Sequence, residues 1–104
     1  MGEKMEDRKE TRKKKNIRVV LKDGDESYNV LVTTISRSGM SIKTDHVFPT
    51  YKAVDIIVKI DQKVIPIKGC IRWVNEPVPD TEDKQYGIGI SLQNPPPEYL
   101  RNFD

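Results

Sequence analysis

The chain is organised around the stretch Thr34-Ile35-Ser36-Arg37-Ser38-Gly39-Met40-Ser41-Ile42, which joins two runs of alternating residues. The run before it is rich in β-branched residues and the run after it resumes a period of two, so both are predicted to be strands. We expect Gly39 to take a positive φ, and Ser36 and Ser38 to bond nearby backbone groups. The stretch therefore predicts a β-hairpin whose polar atoms point outward at one rim.

Four further segments alternate with period two, and they cover residues 17–21, 54–60, 65–73 and 86–92. In the third of these, five residues are expected to share one inward face, with a bend or bulge at the glycine: Ile65, Ile67, Gly69, Ile71 and Trp73. In the last, Gly87 and Gly89 lie opposite the apolar face, which permits close approach of a packed group. Six residues are predicted to be buried: Ile56, Val58, Ile67, Ile71, Ile88 and Ile90.

The C-terminal end predicts a short helix. Asn94 is a candidate N-cap ahead of three prolines. Tyr99 and Phe103 lie one turn apart, beside Leu100, and are expected to press the helix onto the sheet. No segment of 10–15 residues with helical periodicity separates the strands, so a parallel sheet is excluded. The predicted fold is all-β, a six-stranded antiparallel β-barrel closed by a short C-terminal helix.

Composition limits the kind of protein. The 104 residues are enough for one domain, and 36% apolar against 33% charged residues predict a small, efficiently enclosed core. No apolar run is long enough to span a membrane and no signal peptide is apparent, so we expect a soluble, cytoplasmic protein. One cysteine, Cys70, and one histidine, His46, offer neither a disulfide nor a metal-ligand set. No metal or cofactor is predicted.

The charge is distributed unevenly between two predicted regions. Residues 1–16 hold seven Lys or Arg against four acids, whereas residues 17–104 hold eleven against twelve. We interpret residues 1–16 as a basic, flexible arm and residues 17–104 as the barrel with its helix. Residues 1–10 lack an apolar stripe and are expected to be disordered without a ligand. The arm is either a solvated tail or the binding segment for an anionic partner.

The chemistry of these residues favours binding over catalysis. The acids are scattered over turns and the single histidine lies beside a proline, so we predict no catalytic residues and no enzyme. In the arm, Arg8 and Arg12 are four residues apart, and an arginine fork can bind a phosphate or the O6/N7 edge of guanine. Ser36 and the amides near Gly39 add neutral donors. Together these groups are typical of a site for a guanine nucleotide.

The motifs resemble the PilZ domain, a bacterial receptor module for the second messenger cyclic di-GMP. That family carries an Arg-three-residues-Arg arm followed by an Asp/Asn-x-Ser-x-x-Gly turn. This sequence has Arg8-Lys9-Glu10-Thr11-Arg12 and Thr34-Ile35-Ser36-Arg37-Ser38-Gly39. The segments Gly69-Cys70-Ile71-Arg72-Trp73-Val74 and Tyr86-Gly87-Ile88-Gly89-Ile90 are similar to its later strands. The resemblance implies a cyclic di-GMP site formed by Arg8, Arg12, Thr34, Ser36, Arg37 and Gly39.

Two positions depart from the family pattern. Thr34 stands where the family has Asp or Asn, so a short hydroxyl replaces a carboxylate or amide that would meet a guanine edge. Lys13 stands where many members have an apolar residue that fixes the arm to the barrel. Arg12 and Asn16 share the spacing of the arginine pair, and Arg8 with Arg12 is preferred because only that pair supplies two guanidinium groups.

Three functions are consistent with these patterns. In the first, cyclic di-GMP draws the arm onto the rim and alters the surface shown to an unknown effector protein. In the second, the chain is a PilZ-like adaptor that has lost nucleotide binding and acts through protein contacts alone, for which Thr34 is the main support. In the third, the basic run Lys13-Lys14-Lys15 binds single-stranded nucleic acid, which is disfavoured because no row of exposed aromatics is available to stack bases. The sequence leaves the effector, the pathway and the oligomeric state open.

Overall fold

Six antiparallel strands close into a barrel in the computed structural model, which describes residues 17–80, 82 and 84–103. The strands are β1 (Ile17–Asp23), β2 (Glu26–Ile35), β3 (Gly39–Thr44), β4 (Ala53–Ile60), β5 (Lys63–Asn75) and β6 (Tyr86–Gln93). Their order around the barrel is β1-β2-β3-β6-β5-β4, and the pairing of β1 with β4 closes the sheet. The predicted fold class is confirmed. The arm, with Arg8 and Arg12, lies outside the described residues.

Alternation along the strands builds the core as predicted. The six residues expected inside are all at most 4% exposed, and four of them are fully buried. Burying an aliphatic side chain of this size contributes roughly 1.5–3 kcal/mol relative to leaving it exposed. Phe48, from the loop between β3 and β4, is also fully buried in this core.

A β-bulge at Thr33 resets the alternation of β2. Val32 pairs with Ile42 of β3, but Thr34 pairs with Ser41, so Thr33 is the extra residue. Its hydroxyl donates to the Ser41 carbonyl at 3.1 Å. As a result Val32 and Ile35, three residues apart, both pack against the core, while Thr34 is exposed on the outer wall.

A second bulge, at Arg72, changes the face on which Trp73 lies. Ile71 pairs with Ile90 of β6 and Trp73 pairs with Gly89, so Arg72 has no opposite residue. Val74 packs against the core, whereas Trp73 is 43% exposed. The prediction that Trp73 shares the inward face of β5 is therefore wrong, since the bulge shifts the alternation by one residue.

Gly69 does not form the predicted bulge in β5. Its pairing with Val54 on one side and Leu92 on the other is regular. A Cβ there would lie 2.6 Å from Cδ1 of Ile56, so the glycine makes room for a core side chain. The distortion of β5 comes at Arg72 instead.

The C-terminal helix α1 (Pro97–Leu100) continues as a 3₁₀ turn (Arg101–Phe103). Its N-cap is Pro96, which makes no side-chain capping bond, so the prediction of Asn94 as N-cap is wrong. Tyr99, Leu100 and Phe103 all pack on the barrel as expected, Tyr99 fully buried and the other two half-buried. Within the described ranges, no helix is both long and apolar enough to cross a membrane.

The alternation of inward and outward faces predicts that two adjacent isoleucines of β4 contribute differently to the stability of the protein. Ile56 is fully buried, whereas Ile57 lies half-buried on the outer wall. We expect Ile56→Ala to lower the free energy of unfolding by about 2–5 kcal/mol, because it leaves a cavity in the core. The matched control Ile57→Ala should cost roughly 1 kcal/mol or less. Urea denaturation measures both, and equal losses would show that the inward and outward faces are assigned wrongly.

Candidate functional site

Ser36 closes the turn between β2 and β3 with its backbone and its side chain. Its N–H donates to the Gly39 carbonyl at 2.9 Å. Its hydroxyl donates to the same carbonyl at 3.2 Å and accepts the Gly39 N–H, also at 3.2 Å. The prediction that Ser36 holds this turn is confirmed.

Gly39 is required here for space and not for backbone conformation. The φ of Gly39 is not positive, so the prediction of a positive φ there is wrong. Among the described glycines, Gly24 in the β1–β2 turn is the one with a positive φ, 64°. A Cβ at Gly39 would lie 2.6 Å from the carbonyl oxygen of Ile90 in β6. Glycine thus lets β3 approach β6 closely at the point where the turn begins.

Tyr99 anchors this turn from the far end of the chain. In an ordinary hydrogen-bonded pair of an antiparallel hairpin, the two residues exchange both N–H···O bonds. Here the Gly39 N–H bonds the Ser36 hydroxyl instead, and the Ser36 carbonyl accepts the Tyr99 phenol at 2.6 Å. Burial raises the pKa of Tyr99 from 10.0 to about 12. A buried neutral phenol of the C-terminal helix therefore fixes the position of the predicted binding turn.

A depression of about 320 Å³ lies on the outer wall beside the turn. Thr34, Ser36 and Gly39 line one side of it, and Arg72 and Trp73 line the other. Between them lie three small residues of neighbouring strands: Ser41, Gly89 and Ser91. Both bulges border this depression, since Thr34 follows the first and Arg72 is the second. The irregular points of the barrel and the predicted ligand turn thus coincide.

Trp73 is a residue of this depression that the sequence prediction did not include among the site residues. A Cβ at Gly89 would lie 2.1 Å from Cε2 of Trp73, so the indole covers the position where a side chain would stand. The expected close approach over the glycines of β6 is therefore confirmed, and Trp73 is the group that approaches. Its half-exposed ring can stack a planar base. No local signal marks this residue, because the apolar residues of this strand keep a period of two from 65 to 73 and the bulge is not visible in the sequence.

The other predicted site residues are placed as follows. Arg37 is exposed within the turn but does not line the depression. Arg8 and Arg12 lie outside the described residues. Over the ranges that are described, no group of three or more His, Cys, Asp or Glu could hold a metal ion. The structure thus gathers three of the six predicted residues at one depression: Thr34, Ser36 and Gly39.

Comparison with known families gives one finding that covers nearly the whole chain. A family model for the PilZ domain matches residues 6–103. The match includes the arginine pair, the turn and the strands that line the depression. No curated protein and no solved structure gave a match.

The hydrogen bond from the Tyr99 phenol to the Ser36 carbonyl predicts that removing the phenol oxygen alone lowers the stability of the protein. We expect Tyr99→Phe to lower the free energy of unfolding by about 1–2 kcal/mol, because the ring still packs while the Ser36 carbonyl loses its partner. Tyr51→Phe is the matched control, since Tyr51 is 73% exposed and should change stability by less than about 0.5 kcal/mol. Chemical denaturation at pH 7 compares the two. Equal stability of Tyr99→Phe and the parent would contradict the anchoring role.

The raised pKa of Tyr99 predicts a loss of stability in alkali. The phenol keeps its proton to about pH 12 in the folded protein but only to about pH 10 in the unfolded chain. The contribution of Tyr99 to the free energy of unfolding is therefore complete below pH 10 and is lost as the pH rises toward 12. The total is up to about 2–3 kcal/mol. Tyr99→Phe cannot lose this contribution, so its deficit of about 1–2 kcal/mol against the parent should shrink above pH 10 and reverse sign near pH 12. A constant difference would show that the Tyr99 phenol does not titrate abnormally.

Proposed function

Because this chain belongs to the PilZ domain family, whose members are receptor and adaptor modules for cyclic di-GMP, we propose that it binds cyclic di-GMP and thereby alters a surface that an effector protein recognises. The observation that carries the proposal is the depression between the Ser36–Gly39 turn and Trp73. The ligand offers two guanine bases and two phosphates, so it needs planar surfaces, hydrogen-bond donors and positive charge. The depression and the arm together provide groups of all three kinds.

In the proposed complex the arm and the barrel divide the recognition of the ligand. Arg8 and Arg12 bind phosphate or a guanine edge through their bidentate forks. Trp73 offers the face of its indole to a base, and the hydroxyls of Ser41 and Ser91 lie between the two sides of the depression. The Ser36 hydroxyl already bonds Gly39 within the turn, so its main part is to hold the turn in shape.

The proposed change of surface runs through Tyr99. Any displacement of the turn by the ligand acts on the Ser36 carbonyl, which is bonded to the Tyr99 phenol of α1 at 2.6 Å. The neighbouring Asn102 amide caps the helix by donating to the carbonyls of Glu98 and Tyr99, both at 3.0 Å. The helix therefore moves as one unit with its buried tyrosine, and its exposed face is the surface we propose that the effector reads.

A second candidate function is the adaptor that no longer binds nucleotide. It is favoured by one observation, that Thr34 presents an exposed hydroxyl where the family has Asp or Asn. A hydroxyl has a shorter reach than a carboxylate or amide and cannot form the bidentate contact with a guanine edge. In this function the barrel acts through protein contacts alone.

Direct binding distinguishes the two functions. Titration calorimetry of the full chain with cyclic di-GMP should show saturable heat, and the fluorescence of Trp73 should change in parallel because it is the only tryptophan in the chain. The variant Thr34→Asp should tighten binding if a guanine edge lies at that position. No binding near millimolar ligand, by the parent or by Thr34→Asp, would exclude the nucleotide function and support the adaptor.

The arm arginines are expected to supply much of the binding energy. Charge-assisted bidentate hydrogen bonds contribute roughly 1.5–3 kcal/mol, whereas a screened lysine in the same arm contributes about 0.5 kcal/mol. Arg8→Ala and Arg12→Ala should each weaken cyclic di-GMP binding by about tenfold or more. Lys14→Ala is the control and should change the dissociation constant by less than about threefold. Equal effects of the three variants would indicate that the arm acts only through its total charge.

A further inference from the structure

Among the described residues that line the depression, Arg72 is the one that carries a charge. As the extra residue of a bulge it has no opposite partner in β6, and its side chain is exposed. It forms no ion pair within residues 17–80, 82 and 84–103. A guanidinium without a carboxylate, beside hydroxyls and an indole, is an open site for an anionic group.

Tyr51, from the loop between β3 and β4, is in contact with the Arg72 side chain. The Arg72 guanidinium carbon lies 5.9 Å from the centre of the Tyr51 ring, within the range of a cation–π contact. Two backbone bonds attach the loop to the residue before Arg72. The Tyr51 N–H donates to the Ile71 carbonyl at 2.7 Å, and the Ile71 N–H donates to the Lys52 carbonyl at 2.9 Å.

Tyr51 has a backbone conformation that is unfavourable for a tyrosine. The Lys52 N–H donates to the Pro49 carbonyl at 3.2 Å, which makes Tyr51 the third residue of a tight turn, with φ at 70°. Positive φ at this position favours Gly or Asn, and an aromatic residue there is strained. Its ring is also 73% exposed and gains little from burial. Strain without burial is typical of residues kept for a function.

We propose that Tyr51 and Arg72 form a second, barrel-borne recognition element for cyclic di-GMP, in which Arg72 binds a phosphate or guanine edge across the depression from the turn. The inference rests on the proposed function, since it assigns these residues to the same ligand. Tyr51 is a positioning residue that holds the guanidinium toward the depression. Trp73, the next residue along β5, offers its ring beside that guanidinium, so a base and its phosphate can be bound by neighbouring side chains.

This element acts independently of the arm. Arg72 belongs to strand β5 and already lines the depression. A preorganised group loses less conformational entropy on binding than a mobile one. Arg72 is therefore expected to contribute to binding even when both arginines of the arm are replaced.

The test compares full-length variants by calorimetry and by Trp73 fluorescence with cyclic di-GMP. We expect Arg72→Gln to weaken binding about tenfold or more, and Arg72→Lys to recover only part of that loss because lysine lacks the planar fork. Arg18→Gln is the matched control, an exposed arginine of β1 outside the depression, and should leave the affinity unchanged. In the double variant Arg8→Ala/Arg12→Ala, adding Arg72→Gln should produce a further loss of similar size.

Tyr51→Asn separates positioning from folding. Asparagine accepts positive φ readily, so the midpoint of chemical denaturation should stay the same or rise. The affinity should nevertheless fall about two- to fivefold, because the cation–π contact to Arg72 is lost. A purely structural role would instead lower the denaturation midpoint and leave the affinity of the folded protein unchanged.

The outcomes distinguish this inference from the proposed function. If the parent binds cyclic di-GMP and Arg72→Gln binds it as tightly, the second recognition element is wrong while the function stands. If Arg72→Gln and Arg18→Gln weaken binding equally, Arg72 contributes only general charge and the inference is again wrong. If the parent does not bind near millimolar ligand, the proposed function fails and this inference fails with it.

Discussion

Closure of the six strands gives every strand residue one of two environments, the core or the outer wall, and the rest of the structure depends on this constraint. A regular strand must keep its alternation from end to end, because a shift of one residue would exchange the two faces. The barrel permits such a shift at two points, Thr33 and Arg72. After the bulges Ile35 and Val74 return to the core, and the residue before each of them is left on the outer wall. In this way the same constraint that builds the core places Thr34 and Trp73 beside one depression.

The predicted binding turn has an unusual pattern of hydrogen bonds. The Ser36 side chain takes the Gly39 N–H that would ordinarily bond the Ser36 carbonyl, and this leaves the carbonyl for Tyr99. A serine at this position thus does more than occupy a turn, since it connects the turn to the helix. On the other side of the depression Tyr51 is held at positive φ near Arg72. One strained residue and one unusual hydrogen-bond pairing thus lie on opposite sides of the depression, since Tyr51 contacts Arg72 and Ser36 lines the other side.

The sequence was sufficient for the barrel and only partly sufficient for the site. Alternation predicts the buried set because each core position repeats every two residues, and the six predicted residues are all inside. It fails at Trp73, where a bulge inserts one residue and the period no longer applies. The sequence also failed to predict why residue 39 is a glycine, which is to avoid a steric clash with Ile90 of β6. A contact between strands that are distant in sequence leaves no local pattern. The motif predicts Thr34, Ser36 and Gly39 correctly as neighbours, but not the opposite side of the depression, which comes from β5.

The bond between Tyr99 and Ser36 also has a consequence for the order of folding. The two residues are 63 positions apart, so this contact requires a long loop to close, whereas the β2–β3 hairpin is local and can form early. During synthesis from the N-terminus, the turn leaves the ribosome well before Tyr99 does. The Ser36 carbonyl then bonds water until α1 docks on the completed barrel. The turn from Ser36 to Gly39 is therefore among the first parts of the barrel to be made and among the last to reach its final geometry.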